Sequence, residues 1–238
     1  MVYSDTSSLG GIIQTIERMT DAGQAYISGD DNRLKEMTAT VNRINHRVLH
    51  IIFTATGNWQ YDVGNFTDLP TATTDIVSGQ ASYALPSDAL TVQRIEFKDK
   101  DGNWSVLKPT TKERIGEALD EFQSINGSLM YYTLMNGVIN IYPASDYDST
   151  GGLKVYFDRD SVDFAYNDTT QTPGFASTYH EIIPIKASIE WFKIKQPNSP
   201  TLALLIQDDL KLEKSIVEFY GKRFKNLKSK ITRYSNYN

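Results

Sequence analysis

Between Ile76 and Phe157 apolar and polar residues alternate at the two-residue period of half-buried strands, and at both ends of the chain the spacing changes to the threes and fours of helices. Strands that are contiguous and helices that flank them segregate into different parts of a fold instead of alternating as βαβ units. The expected class is therefore α+β: a four-helix body formed by both chain ends with an inserted small antiparallel β domain. The boundaries fall at 1–57 for a helical hairpin of the body, 58–175 for the inserted β domain, and 176–238 for the body continued with a C-terminal docking segment.

The helical rhythms are specific. Residues 1–8 are polar and are expected to be disordered or ordered only by a partner. Ile12, Ile13, Ile16, Met19 and Tyr26 share one helical face that ends at Ser28 and Gly29, and Asp30 or Asp31 can cap the next helix. There Leu34, Met37, Val41, Ile44, Val48 and Ile51 step by three and four, a seam that asks for other helices of the same chain. Near the other end, Pro173 and Gly174 punctuate the strand region. Ser177 or Thr178 can start a helix with Glu181 at capping-box distance, and Pro184 falls close enough to the start to be tolerated. Pro197 and Pro200 break that helix, and a last one runs from Thr201 to about Lys230 with Ile206, Leu210, Val217, Tyr220, Phe224, Leu227 and Ile231 along it.

In the strand region, Trp59 to Thr74 has the composition of a loop. Leu90, Val92, Ile95 and Phe97 mark a strand with an irregularity at Gln93 and Arg94; Asp99 to Asn103 is its turn, and Trp104 to Lys108 returns antiparallel. The Asp101-Gly102 turn lacks the later ligands of a calcium loop. Thr110 to Ser124 is a modest helix. Asn136-Gly137 is a strong hairpin signal, a turn spans Asp146 to Gly152, and Leu153 to Phe157 is the last strand. Five or six antiparallel strands make a small sandwich or barrel-like sheet.

No stretch carries recognisable reaction chemistry. His46 and His50 share a helix face, but the glutamate of a metalloprotease motif and a third ligand are missing, so they read as a polar helix edge. His180 and Glu181 read as capping and packing. Carboxylate pairs such as Asp158 and Asp160 would serve a glycosidase only if held across a cleft. No cofactor, metal or catalytic residue is assigned. The chain has no cysteine, no signal-peptide pattern and no apolar run near the roughly 20 residues of a membrane span, which fits a soluble, non-secreted protein without membrane contact. Net charge is −5, yet between Lys211 and Arg233 eight Lys and Arg stand against Glu213 and Glu218, which leaves −11 for everything else. A single-sign block of this kind is either a solvated helix face or a docking segment for an acidic surface.

Three groups of residues point to a family: Gly79-Gln80-x-x-Tyr83-x-Leu85-Pro86-x-Asp88-x-Leu90 with Trp104-x-x-Leu107-x-Pro109; Gly137-x-Ile139-x-Ile141-Tyr142-Pro143; and Pro173-Gly174-Phe175 with Tyr179-His180-Glu181 opening a helix. In order and spacing these resemble the head-to-tail adaptor (connector) ring proteins of short-tailed bacteriophages, including those of the crAss-like group, over roughly residues 75–195. The resemblance implies a non-enzymatic structural subunit of the virion neck, assembled in host cytoplasm into a ring of twelve copies. Its partners would be the portal protein, copies of itself, the next tail or ring protein, and genomic DNA passing through the lumen without sequence-specific contact. The portal or neighbour docking residues would be Tyr220, Arg223, Phe224, Lys225, Leu227, Lys228, Ile231 and Arg233, and Asp101, Gly102, Asn103 and Trp104 would meet the next tail component. The competing readings are a cell-wall-degrading or carbohydrate-binding tail component, and a packaging accessory protein that binds duplex DNA.

Overall fold

The computed structural model describes residues 1–56, 70–115, 118, 121 and 129–223. The fold is mixed α+β, with four α-helices and two small sheets among the described residues. It divides into two compact units, Met1–Phe66 with Ser161–Asn238, and Thr67–Asp160.

The first unit is helical. Its elements are α1 (Ile12–Thr20), α2 (Asp31–Thr56), α3 (Ile182–Lys195) and α4 (Pro200–Arg223). One buried cluster takes Ile12, Ile13 and Ile16 from α1, Val41, Ile44, Val48 and Ile52 from α2, Ile182 and Ile183 from α3, and Ile216 and Tyr220 from α4. The α2 seam therefore points where its spacing directs it. Asp30 caps α2 as expected, its Oδ1 accepting the N–H groups of Asn32 and Arg33 at 3.0 Å each.

Several helix boundaries differ from the sequence reading. Helix α1 stops at Thr20, because Asp21 takes a left-handed conformation at φ 50° and ends the run well before Tyr26. Residues 1–8 are not loose: Tyr3 is fully buried, stacks on Phe164 at 5.1 Å, and donates its N–H to the Gln171 carbonyl at 2.8 Å. No capping box forms at Thr178. A 3-10 turn at Ser177–Tyr179 leads instead into α3, whose N-cap Glu181 makes no side-chain cap bond. Pro184 is the third residue of α3, where no intrahelical N–H bond is lost. In α4 the buried stripe is Leu205, Ile216 and Tyr220, while Ile206, Leu210 and Val217 are exposed. Phe164 and Phe175 belong to the helical core, so 161–175 goes with the helices and not with the β domain to which the sequence assigned it.

Among its described residues the second unit holds eight strands: β1 (Thr71–Ile76), β2 (Ser82–Ala84), β3 (Ala89–Lys98), β4 (Trp104–Val106), β5 (Lys108–Pro109), β6 (Tyr131–Met135), β7 (Val138–Tyr142) and β8 (Ser149–Arg159). They form two four-stranded sheets, ordered β1-β8-β3-β4 and β2-β7-β6-β5. Ile95, Phe97, Leu153 and Val155 of the first sheet share one buried cluster with Tyr83, Tyr132, Ile139 and Ile141 of the second. This is the packing of a small sandwich. The irregularity expected in β3 is a register shift against β8 between Val92 and Arg94. Asn136 and Gly137 turn the β6–β7 hairpin at φ 52° and 75°, the left-handed pair that a two-residue turn requires.

Three expectations for this unit are corrected. The segment assigned to a loop supplies β1, because Thr-rich residues at 71–74 pair along β8 despite their polarity. Pairing is not wholly antiparallel, since β5 runs parallel to β6. Strand β8 begins at Ser149, inside the expected turn. Of the helix expected over Thr110 to Ser124, the structure describes a 3-10 turn at Lys112–Arg114; most of the rest lies outside the described residues. Trp59, Tyr61 and Phe66 lie outside them as well.

Candidate interaction surfaces

The β3–β4 hairpin is a self-contained turn. Asp99 Oδ1 accepts the N–H groups of Asp101 at 3.0 Å and Asn103 at 2.7 Å, and Gly102 closes it at φ +85°. That arrangement occupies the carboxylate of Asp99 with backbone donors, as an Asx turn does. Lys100 bonds Asp146 at 2.6 Å beside Tyr147, whose hydroxyl donates to the Lys98 carbonyl at 2.7 Å. Burial, then the carboxylates of Asp99 and Asp146, push the Tyr147 phenol up to about 12. Trp104 projects from the hairpin 45 % exposed, with Lys154 Nζ 5.0 Å from its ring. Of the four residues assigned here to a tail partner, Trp104 is the one that offers apolar contact area.

The C-terminal docking residues are only partly described. Tyr220 is fully buried and its hydroxyl accepts the N–H of Ala176 at 2.9 Å, so it holds the helical core together and presents no docking surface. Arg223 is the last residue of α4. Phe224, Lys225, Leu227, Lys228, Ile231 and Arg233 lie outside the described residues. Upstream of them α4 is apolar on a second face: Ile206 is 38 %, Leu210 63 % and Val217 42 % exposed. The seven-residue step from Leu210 to Val217 continues in the sequence to Phe224 and Ile231.

The polar residues weighed as chemistry are engaged in structure. His46 Nε2 lies 2.9 Å from Asp163 Oδ1. His180 is buried and donates from Nε2 to the Phe175 carbonyl at 2.8 Å; burial above all lowers its pKa. Asp158 is buried within the first sheet, where Oδ2 accepts from Thr91 Oγ1 and Gln93 Nε2 beside the β3 register shift. It is not one of two carboxylates facing each other across a cleft. Among the described residues no group of three His, Asp or Glu could hold a metal ion, and no helix is long and apolar enough to cross a membrane.

Sequence reasoning missed two polar devices of the helical unit. Glu17 is buried, and its carboxylate gathers the 21–30 loop: Oε1 accepts the N–H of Ile27 at 2.8 Å, the N–H of Ser28 at 2.7 Å and the Ser28 hydroxyl at 3.0 Å, while Oε2 accepts Ala25 N–H at 3.3 Å. Lys186 of α3 reaches Asp209 at 2.9 Å and Glu213 at 3.0 Å on α4. Burial opposes its charge, but the two carboxylates win and hold its pKa above the ordinary lysine value. Nothing periodic announces either device, although a glutamate inside the apolar rhythm of α1 is the one available signal. The same unit has a groove of about 510 Å³ whose lining includes Tyr26, Arg33, Met37, Trp191, Ile194 and Lys195.

Comparison with curated proteins gives no match. A family model, described as SU10 adaptor protein, matches residues 8–190 of the 238. The match runs from α1 through both sheets into α3 and so takes in both units. The chain belongs to the SU10 adaptor protein family and is a structural head-to-tail adaptor protein of a bacteriophage virion.

Proposed function

We propose that the protein is one subunit of an oligomeric ring that joins the phage portal to the tail and surrounds the DNA channel. Twelve copies would form the ring, with helical bodies built from both chain ends side by side and the inserted β domain toward the next tail component. The basic, apolar-striped end of the chain would dock on the portal or on a neighbouring copy. What supports this most is α4, which buries Ile216 and Tyr220 on one side and leaves Leu210 and Val217 exposed on another. A helix with two apolar faces needs a second partner to cover the second face. The −11 outside residues 211–233 suits a lumen past which DNA phosphates slide without adhering.

The test is truncation after Arg223, which removes Phe224, Lys225, Leu227, Lys228, Ile231 and Arg233 together. Full-length protein should join portal-bearing heads and the truncated protein should not. Reversing the charges of Lys225 and Lys228 should weaken attachment more at low salt than at high salt. Normal incorporation of the truncated protein into particles would overturn the docking assignment.

A further inference from the structure

β4 is an edge strand of the first sheet, and Trp104, Ser105 and Val106 are all exposed. Bonds at its two ends fix its pattern: Asp99 N–H donates to the Asn103 carbonyl at 2.9 Å, and Leu107 N–H to the Ile95 carbonyl at 3.0 Å. In an antiparallel ladder successive residues face the partner strand and face away in turn. With 103 and 107 facing β3, Ser105 faces it too. The N–H and C=O groups of Trp104 and Val106 therefore point away from β3 at the edge of the sheet, and they meet no hydrogen-bond partner among the described residues. Such a row is a template for one more strand.

The side chains say which strand. Trp104 and Val106 stand on the outer face, 45 % and 44 % exposed. Lys98 lies opposite Trp104, and Lys154 reaches over the indole at 5.0 Å and over the Tyr156 ring at 5.9 Å. Glu96, a carboxylate on this face, is occupied by Arg94 at 2.6 Å and by the Tyr156 hydroxyl at 3.2 Å. Among the described residues neither Lys98 nor Lys154 makes a salt bridge to a carboxylate. The edge is thus an apolar strip flanked by two ammonium groups that make no salt bridge among the described residues.

We propose that β4 receives an extended acidic segment of another protein, which adds to the first sheet as a fifth strand. Its apolar side chains would lie against Trp104 and Val106, and its carboxylates against Lys98 and Lys154. A second copy of this chain is the poorer occupant, since pairing β4 with itself would bring the lysines of both copies together. For the partner's place in the particle the inference rests on the adaptor reading; the chemistry of the edge does not.

The test is backbone amide exchange at Trp104 and Val106 in the full-length protein, with and without a short peptide of alternating Val and Glu. The acidic peptide should slow both amides by about tenfold or more, and raising salt to about 0.5 M should reverse most of the effect. A Val and Lys peptide should do nothing, and N-methylating alternate amides of the acidic peptide should abolish protection. The double variant K98E/K154E should exchange the preference of the two peptides. Absent protection, equal protection by the lysine peptide, or protection that survives N-methylation would each overturn the proposal. So would slow exchange in the free protein accompanied by a dimer mass. Incorporation of the full-length protein into particles tests the adaptor reading separately, so the two can fail independently.

Discussion

Where the chain is cut decides whether a truncation tests docking or folding. Removing everything after Leu210 takes away Ile216 and Tyr220, both fully buried, and Leu212, which packs against the same cluster. Burying a large apolar side chain stabilises by about 1.5–3 kcal/mol. The lost hydrogen bond from Ala176 N–H to the Tyr220 hydroxyl adds about 1 kcal/mol, and Lys186 loses Glu213. Together the loss is about 5–8 kcal/mol, against a total of about 5–15 kcal/mol for a domain of ordinary stability. Truncation after Leu210 should therefore leave the helical unit unfolded or nearly so at 25 °C, whereas truncation after Arg223 removes none of these residues. Urea titration followed by far-UV circular dichroism separates the outcomes, because the helices dominate the signal. A cooperative transition at the wild-type midpoint for the shorter protein would refute the placement of Ile216 and Tyr220 in the core, and with it the reasoning about both faces of α4.

Glu17→Ala orphans the buried N–H of Ile27 and weakens the ties to Ala25 and Ser28, a loss of about 2–4 kcal/mol; Glu17→Gln, which keeps an acceptor, should lose less, and a urea midpoint unmoved by both would contradict the Glu17 account. His180 has a folded pKa lowered chiefly by burial, so its contribution is present above the ordinary value of 6.5 and is lost as pH falls from there toward the depressed folded value; midpoints at about pH 7.5 and about pH 5.5 should diverge, and less so in His180→Gln. Lys186 shows the opposite sign: its raised pKa keeps its contribution intact below 10.5 and forfeits it as pH rises through the folded value, and Lys186→Met should cost about 1–3 kcal/mol at neutral pH, a discount from a fully buried pair because Glu213 is 37 % exposed. Leu210→Glu with Val217→Glu should change the unfolding free energy by less than about 0.5 kcal/mol but reduce assembly into particles, as seen by imaging the neck.

The seam of a long helix, a two-residue turn and a strand irregularity are legible in the sequence, while several element ends are not. The α2 seam, the β6–β7 turn and the β3 irregularity each arise from a residue pattern that tertiary context had no reason to override. Helix α1 was over-extended because Tyr26 falls on its face by spacing alone, while the actual stop is the left-handed Asp21, a position that periodicity does not see. Strand β1 was missed because its Thr and Asp residues carry no alternation; pairing with β8 stabilises it, and that partner lies far along the chain. For the interaction surfaces the basic block was visible as charge, but the open edge of β4 was not. An unpaired N–H is a property of sheet order, and sheet order is fixed by β8 inserting between β1 and β3.

The exposed stripe on α4 has to be weighed against the ordinary fact that soluble proteins carry apolar side chains on their surfaces. Single exposed leucines need no explanation. Ile194 at 77 % and Leu204 at 62 % exposure show how common they are on this protein. What separates Leu210 and Val217 is their seven-residue step, a spacing that keeps side chains nearly in line along a helix and able to meet a second helix, and that the sequence repeats at Phe224 and Ile231, outside the described residues. The buried stripe of Leu205, Ile216 and Tyr220 packs α4 into the helical unit, whereas Leu210 and Val217 stay exposed among the described residues. Free energy is available from them only when something covers them. The basic residues distributed around the same repeat make an acidic partner surface the better cover, because it would be drawn in by the field before the apolar contact forms.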